Sequence, residues 1–492
     1  MNERCMNRRH FMKLSGAFAV TLGLQGCAQP TLFSGKPKER PNMLFIFADD
    51  QTYEAIHAFG SDVETPNLDK LVKKGVTFTH AYNQGAWGGA VCVASRTMLN
   101  TGRFLWNANR VEKTLDREVE AGRFWSQYMK QAGYDTYFSG KWHIKTDVEK
   151  LFDVVKDVRP GMPGTVPQAY NRPHENQPDA WKPWDTSNGG FWEGGKHWSE
   201  VLGDNSVEFI NQASQKENPF FMYLAFNAPH DPRQSPKEFV DKYPLDEVDV
   251  PENFLPEYPY KDAMGCPKTL RDEKLGPFPR TEYAVKVHRQ EYYALITHMD
   301  EQVGRILDGL EKKGLDKNTY VFFTADHGLA CGHHGLMGKQ NMYDHSMRVP
   351  LMVTGPGINP GTIESPVYLQ DIMPTTLELA GAGIPSQVQF KSLLPAMRGE
   401  GGPYDAIYGG YMQLQRMVAD DGCKMILYPK INKVRLYNLK KDPEEMTDLG
   451  EDKNYNAIKE RLFAKLLILQ TETGDTLDLK TVYPQLCEKA SP

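Results

Sequence analysis

Two apolar runs, each ending at an aspartate, constrain this chain more than any other feature. Pro41-Asn42-Met43-Leu44-Phe45-Ile46-Phe47-Ala48 ends in Asp49-Asp50, and Thr319-Tyr320-Val321-Phe322-Phe323-Thr324-Ala325 ends in Asp326-His327-Gly328. Neither run alternates apolar with polar residues, so each reads as a strand buried on both faces, as in a parallel sheet. Further strand candidates are Thr136-Tyr137-Phe138 before Gly140-Lys141, residues 220–226 before Asn227-Ala228-Pro229-His230, and Leu351-Met352-Val353. Helical patterns at 124–132, 198–213 and 287–312 lie between them. Strands alternating with helices predict an α/β fold, a large mostly parallel sheet sandwiched by helices. Sites in such sheets gather at the carboxyl ends of strands. Every chemically interesting group above follows a strand, which favours one shared site.

The pattern changes near residue 404 to short strands at 416–419, 424–428 and 435–439, with a helix near 456–471. This predicts a smaller C-terminal antiparallel α+β subdomain. The expected division is a signal segment at 1–27, a linker at 28–40, a catalytic domain at 41–400 and the subdomain at 401–492. Residues 150–195, rich in Pro, Gly, Asn and Trp, form a long irregular stretch of the kind that serves function, here a substrate-facing loop. Residues 231–285 are similar. A net charge of −6 without long runs of one sign gives no footprint for nucleic acid, so any anion site must be built locally.

Asn7-Arg8-Arg9-His10-Phe11-Met12-Lys13 followed by a short apolar stretch at 14–24 looks like a twin-arginine export signal, too short to span a bilayer. Leu24-Gln25-Gly26-Cys27 resembles a lipobox, with Cys27 as the lipidated residue. The expectation is an exported protein, passed by the Tat translocase and lipid-anchored to an outer or inner membrane, in the periplasm or at the cell surface. A plain cleaved signal with an incidental cysteine is the alternative. Of seven cysteines, Cys5, Cys27 and Cys92 have other fates; Cys266, Cys331, Cys423 and Cys487 show no C-x-x-C spacing and allow three full pairings.

Asp49-Asp50 and Asp326-His327 would bring converging negative charge to neighbouring strand ends, and such charge calls for a cation. Carboxylate oxygens suit a hard divalent ion. Alone, an Asp-Asp pair would more often cap a helix. Beside them stands Cys92-Val93-Ala94-Ser95-Arg96, continuing to Thr101-Gly102-Arg103. If the segment is helical, Cys92 and Arg96 share one face near an anion-favouring N-terminus.

That run resembles the C-x-[PA]-S-R…TGR signature of the type I, formylglycine-dependent sulfatases of the alkaline-phosphatase-like superfamily. Gly140-Lys141-Trp142-His143 is similar to the family's G-K-W-H, and Gly335-Leu336-Met337-Gly338-Lys339 falls where it has H-G-x-x-x-K. The bacterial iduronate-2-sulfatase-like and choline-sulfatase-like members are most similar, the former also carrying D-H-G. The resemblance implies that a maturase oxidises Cys92 to 3-oxoalanine (formylglycine). It further implies a metal, Ca²⁺ ahead of Mg²⁺, held by Asp49, Asp50, Cys92, Asp326 and His327. Catalytic roles fall to Cys92, Arg96, Lys141, His143, His230 and Lys339. His230 would protonate the leaving alcohol, and His143 would take a proton from the sulfated diol to expel sulfate. Position 94 is Ala where most members have Pro, which bears on which maturase acts.

The expected reaction is sulfate ester hydrolysis on sulfated oligosaccharides of algal galactan or glycosaminoglycan type, with Arg233, Lys196 and His197 as contacts to neighbouring anionic groups. Choline sulfate is the alternative substrate, because tryptophans at 142, 181, 184, 192 and 198 could cage a quaternary ammonium. Phosphate ester hydrolysis on the same superfold would carry Ser or Thr in place of Cys92. A different class is a lipoprotein that binds sulfated glycans and is never matured.

Overall fold

The computed structural model describes residues 40–487. The segment expected to be a signal, the expected lipidation site Cys27 and the linker up to residue 39 lie outside them. The main sheet comprises β1 (Asn42–Ala48), β2 (Val76–Phe78), β3 (Asp135–Lys141), β4 (Val154–Arg159), β5 (Phe220–Ala225), β6 (Thr319–Ala325), β7 (Leu351–Thr354) and β8 (Gly361–Ile363). Its order is β8-β2-β7-β6-β1-β5-β3-β4. β6, β1, β5, β3 and β4 all run parallel, whereas β7 is antiparallel to both β6 and β2. The two runs that predicted buried strands are β1 and β6, and all their residues are buried. They are direct neighbours, with Ala48 paired to Ala325. Asp49 and Asp326 therefore leave the sheet side by side.

Two sets of mutually packed helices cover the sheet. One comprises α1 (Pro66–Lys74), α4 (Trp198–Ala213) and α5 (Glu282–Lys312); the other comprises α2 (Val91–Thr101), α3 (Trp125–Gln131) and α6 (Ile372–Leu379). Alternation along β1 sends Phe45 and Phe47 to the second set, where Phe45 meets Trp125 edge-on at 5.0 Å and the Arg96 guanidinium lies 4.7 Å from the Phe47 ring. α5 begins at Glu282, ahead of the apolar pattern, because the Thr281 hydroxyl accepts from the Ala284 N–H.

β9 (Ile407–Tyr411), β10 (Gln415–Asp420), β11 (Cys423–Tyr428) and β12 (Lys433–Asn438) form an antiparallel sheet packed by α7 (Asn456–Thr473). Its fifth strand comes from far earlier in the chain: Gly85–Ala86 pairs in parallel with β9. The stretch 150–195, expected to be irregular throughout, contains the edge strand β4. Its residues are only half-buried or exposed, so the apolar signal of a central strand is absent. Cys92, Cys266, Cys331, Cys423 and Cys487 are all free thiols.

Candidate active site

Cys92 is the second residue of α2, whose C-terminus closes on Gly102 in the left-handed region, its N–H bonded to the Met98 carbonyl. Every residue of α2 except Val93 is buried, because one face packs on the sheet and the other on the C-terminal core. Four residues on, Arg96 shares the face of Cys92. Its Nε donates to Asp326 Oδ2 at 3.1 Å and its Nη1 to the Lys141 carbonyl at 2.8 Å.

The ends of four parallel strands supply the rest. Asp49 and Asp50 follow β1, Lys141 ends β3, His230 follows β5, and Asp326 and His327 follow β6. Cys92 Sγ lies 3.3 Å from Asp49 Oδ1, 3.2 Å from His327 Nε2 and 3.6 Å from Lys339 Nζ. Lys339 Nζ reaches both Asp50 oxygens at 2.8 and 2.7 Å, and Lys141 Nζ pairs with Asp49. His327 Nε2 is 3.2 Å from Asp50 Oδ1. His230 Nδ1 bonds the Asp231 carbonyl at 2.6 Å, which leaves Nε2 facing Asp50 Oδ2 at 3.8 Å. Asp50 has φ 67 and His143 φ 54, a backbone region costly for side-chain-bearing residues and recurrent at functional sites.

Burial lifts the Asp49 carboxyl well above the ordinary range, reinforced by Asp326 beside it. Asp50 is pushed up to about 6 by burial despite Lys339 and His327. Burial also opposes ionisation of Cys92, but Lys141, Lys339 and His327 outweigh it and hold the thiol well below its usual value. Burial would lower His327, yet Asp326 and Asp50 raise it to about 9. Asp326, faced by His327, Arg96 and Lys141, is held below the usual carboxylate range despite its burial.

One ligand atom from each of Asp49, Asp50, Cys92, Asp326 and His327 lies within 4.8 Å of all the others. Five inward donors, mostly carboxylate oxygens, fit a divalent cation. Arg96 Nη2 and His143 Nδ1 are buried without a hydrogen-bond partner, Arg96 Nη2 lying 3.7 Å from Asp49 Oδ1.

The residues expected to touch substrate divide. His197 is fully buried at the start of α4, with Nδ1 accepting from Ser199 N–H at 3.2 Å and Nε2 on the Gln234 carbonyl at 3.0 Å. Both nitrogens are occupied, so it is a structural cap. Lys196 is half-exposed and pairs with Asp204 of α4. Arg233 is buried over the Tyr292 ring, and the Tyr292 hydroxyl donates to the Asp50 carbonyl at 2.6 Å; Nε and Nη2 of Arg233 have no partner. Arg271 carried no motif, yet it sits 3.5 Å from His230 Nε2 while pairing with Asp231 and Asp272.

The family model described as Sulfatase matches residues 41–382, and that of the N-sulphoglucosamine sulphohydrolase C-terminal region matches 332–472. An N-acetylglucosamine-6-O-sulfatase of Bacteroides thetaiotaomicron is 25% identical over 91% of this chain and 88% of its own. A choline-sulfatase of Rhizobium meliloti is 27% identical over 84% and 83%. Among solved structures, one in complex with its substrate D-glucosamine-2-N,6-O-disulfate aligns with TM-score 0.68 at 23% identity, covering 90% of this chain and 100% of that one. A phosphonate monoester hydrolase of Agrobacterium radiobacter shares the fold equally well, with TM-score 0.68 at 21% identity over 88% and 96%. With a buried cysteine opening a helix among strand-end carboxylates and lysines, and with the family model spanning most of its length, the chain belongs to the sulfatase family, enzymes that hydrolyse sulfate esters.

Proposed function

We propose that the protein removes sulfate from sulfated saccharides, using a Cys92 matured to 3-oxoalanine and a calcium ion held by Asp49, Asp50, Asp326 and His327. The observation that carries this reading is Cys92 Sγ at 3.3 Å from Asp49 and 3.2 Å from His327, with Lys339 at 3.6 Å. The hydrated aldehyde would supply two hydroxyls on one carbon, and the cation would favour ionisation of the attacking one and offset charge on the ester. Arg96, Lys141 and Lys339 would bind the sulfate oxygens as charge grows on them. Because Nδ1 donates its N–H to the Asp231 carbonyl, His230 would act as the acid in its imidazolium form, giving the second proton from Nε2 to the leaving oxygen.

Three of the five tryptophans considered for an ammonium cage are committed to packing, while Trp181 and Trp184 line a cavity with Asp179 and Glu291. Trp142 packs among Phe138, Phe152 and Tyr223, Trp192 Nε1 bonds the Pro183 carbonyl, and Trp198 lies under Arg159. They build the loop and core. Saccharide sulfates are supported by the relative named for N-acetylglucosamine-6-O-sulfate and by an ulvan-active sulfatase of Formosa agariphila, 24% identical over 90% of this chain. Residues 1–27 support export by the twin-arginine route and anchoring through Cys27.

Two measurements test the proposal. Intact mass of protein from its native host should fall by about 18 Da on maturation of Cys92; an unmodified thiol there favours a glycan-binding lipoprotein instead. Parallel assays should release sulfate from carrageenan or heparan-type oligosaccharides, and activity confined to choline-O-sulfate reverses the substrate choice.

A further inference from the structure

Gly161 follows the edge strand β4, inside the 150–195 stretch expected to face substrate. Its turn is fastened at two points: Trp142 N–H donates to the Arg159 carbonyl at 3.3 Å, and Asn227 Nδ2 donates to the Pro160 carbonyl at 3.0 Å. Trp142 immediately precedes His143, and Asn227 lies three residues before His230. The turn is therefore tied to the chain next to both histidines. A Cβ built on Gly161 would lie 2.2 Å from Nε2, 2.3 Å from Cε1 and 2.6 Å from Cδ2 of His143, so the bare backbone abuts the imidazole. Gly161 is not among the glycines with positive φ, so its backbone would accept any residue. The missing side chain matters for the ring alone. His143 itself has φ 54, a conformation that neighbouring contacts must sustain.

We infer that Gly161, pinned by Asn227, is a positioning residue that seats the His143 imidazole against position 92. The inference rests on the proposed function, in which His143 acts at sulfate release. There, His143 accepts the proton of the free hydroxyl on residue 92. The O–H electron pair becomes the carbonyl π bond, the C–O bond to sulfate breaks, and sulfate leaves with that bonding pair. A displaced ring would leave sulfate bonded to residue 92.

The test compares matured wild type with Gly161→Ala, Asn227→Ala, His143→Ala and the Gly161→Ala/His143→Ala double variant. Gly161→Ala should lower turnover of an aryl sulfate roughly tenfold to a hundredfold. It should also leave protein heavier by one SO₃ group after exposure to substrate, as His143→Ala does. Asn227→Ala adds no bulk and should retain sulfate to a lesser degree. Removing the ring makes room for the methyl, so the double variant should match His143→Ala in both melting temperature and turnover. Additive losses of melting temperature in the double variant, or no retained sulfate in either Gly161→Ala or Asn227→Ala while His143→Ala retains it, overturn the inference. If His143→Ala itself retains none, the release role of His143 fails, and the melting-temperature coupling still judges the seat.

Discussion

Cys92 and His230 face the same carboxylate, Asp50, at different oxygens, 3.9 Å and 3.8 Å away. Their substitutions should nevertheless differ in kind. Cys92→Ala deletes the attacking group and should abolish turnover on every ester, activated or not. His230→Ala removes a proton needed only when the leaving oxygen is basic. The loss should be about 10²-fold or more on a sugar sulfate and far smaller on a nitrophenyl sulfate. Equal losses on the two substrates would refute the acid role. At this scale the sequence was readable wherever a residue type and its spacing carry chemistry, as at Cys92, Arg96 and the strand-end acids. It reached Arg271 and Gly161 only as members of long irregular stretches, because their particular importance arises from tertiary proximity to His230 and His143. His197, a candidate for substrate contact, serves as a helix cap.

Among the elements, the β3–β4 pair carries a backbone irregularity beside the site. The register skips Asp157 of β4, which has φ 45, so the edge strand holds the bulge. Opposite it on β3, Gly140 has φ 101, with a would-be Cβ 1.9 Å from the Ala225 carbonyl oxygen. Gly140→Ala must strain the backbone and displace β5, at a cost of roughly 2–4 kcal/mol. A chemical-denaturation midpoint unchanged from wild type would contradict this. A second element contact is sensitive to pH. Asp300 on α5 accepts the N–H groups of Asn67 and Leu68 at the start of α1, at 3.0 and 2.7 Å, yet burial pushes its carboxyl up to about 6 from 3.8. The folded state thus holds the proton more tightly than the unfolded chain. Asp300's contribution is fully present below about pH 4 and is lost as pH rises through about 6, of order 2 kcal/mol. Unfolding free energies from pH 4 to 7 should fall more steeply in wild type than in Asp300→Asn. Parallel slopes would exclude the group. Central strands were legible because burial on both faces removes polar residues, whereas β4 at the edge was hidden by its polarity.

For the whole molecule, the consequential contact joins the C-terminal sheet to the segment before Cys92. Gly85–Ala86 is a strand of that sheet, and a single apolar core includes Tyr82, Ala86, Val91, Ala94 and Met98 together with Tyr408, Met417, Leu427 and Phe463. Val91, Ala94 and Met98 lie on α2, the helix that carries Cys92. Partners from beyond residue 404 join Phe104, Leu105, Met342, Tyr343 and Tyr368 in that core, so the site helix and the C-terminal sheet share one hydrophobic interior. The change in sequence pattern near 404 marks an architectural seam, but no interface there could open without exposing the underside of α2. Removing these partners would uncover several fully buried apolar side chains at roughly 1.5–3 kcal/mol each, comparable in sum to the whole stability of a typical domain. A chain ending at residue 403 should therefore be insoluble or lack cooperative melting, and should show no aryl sulfate turnover even with Cys92 intact. Expressing 41–403 beside 41–487 and comparing soluble yield, melting and turnover decides the point. A soluble, active 41–403 fragment would mean that the catalytic half organises α2 without the C-terminal sheet.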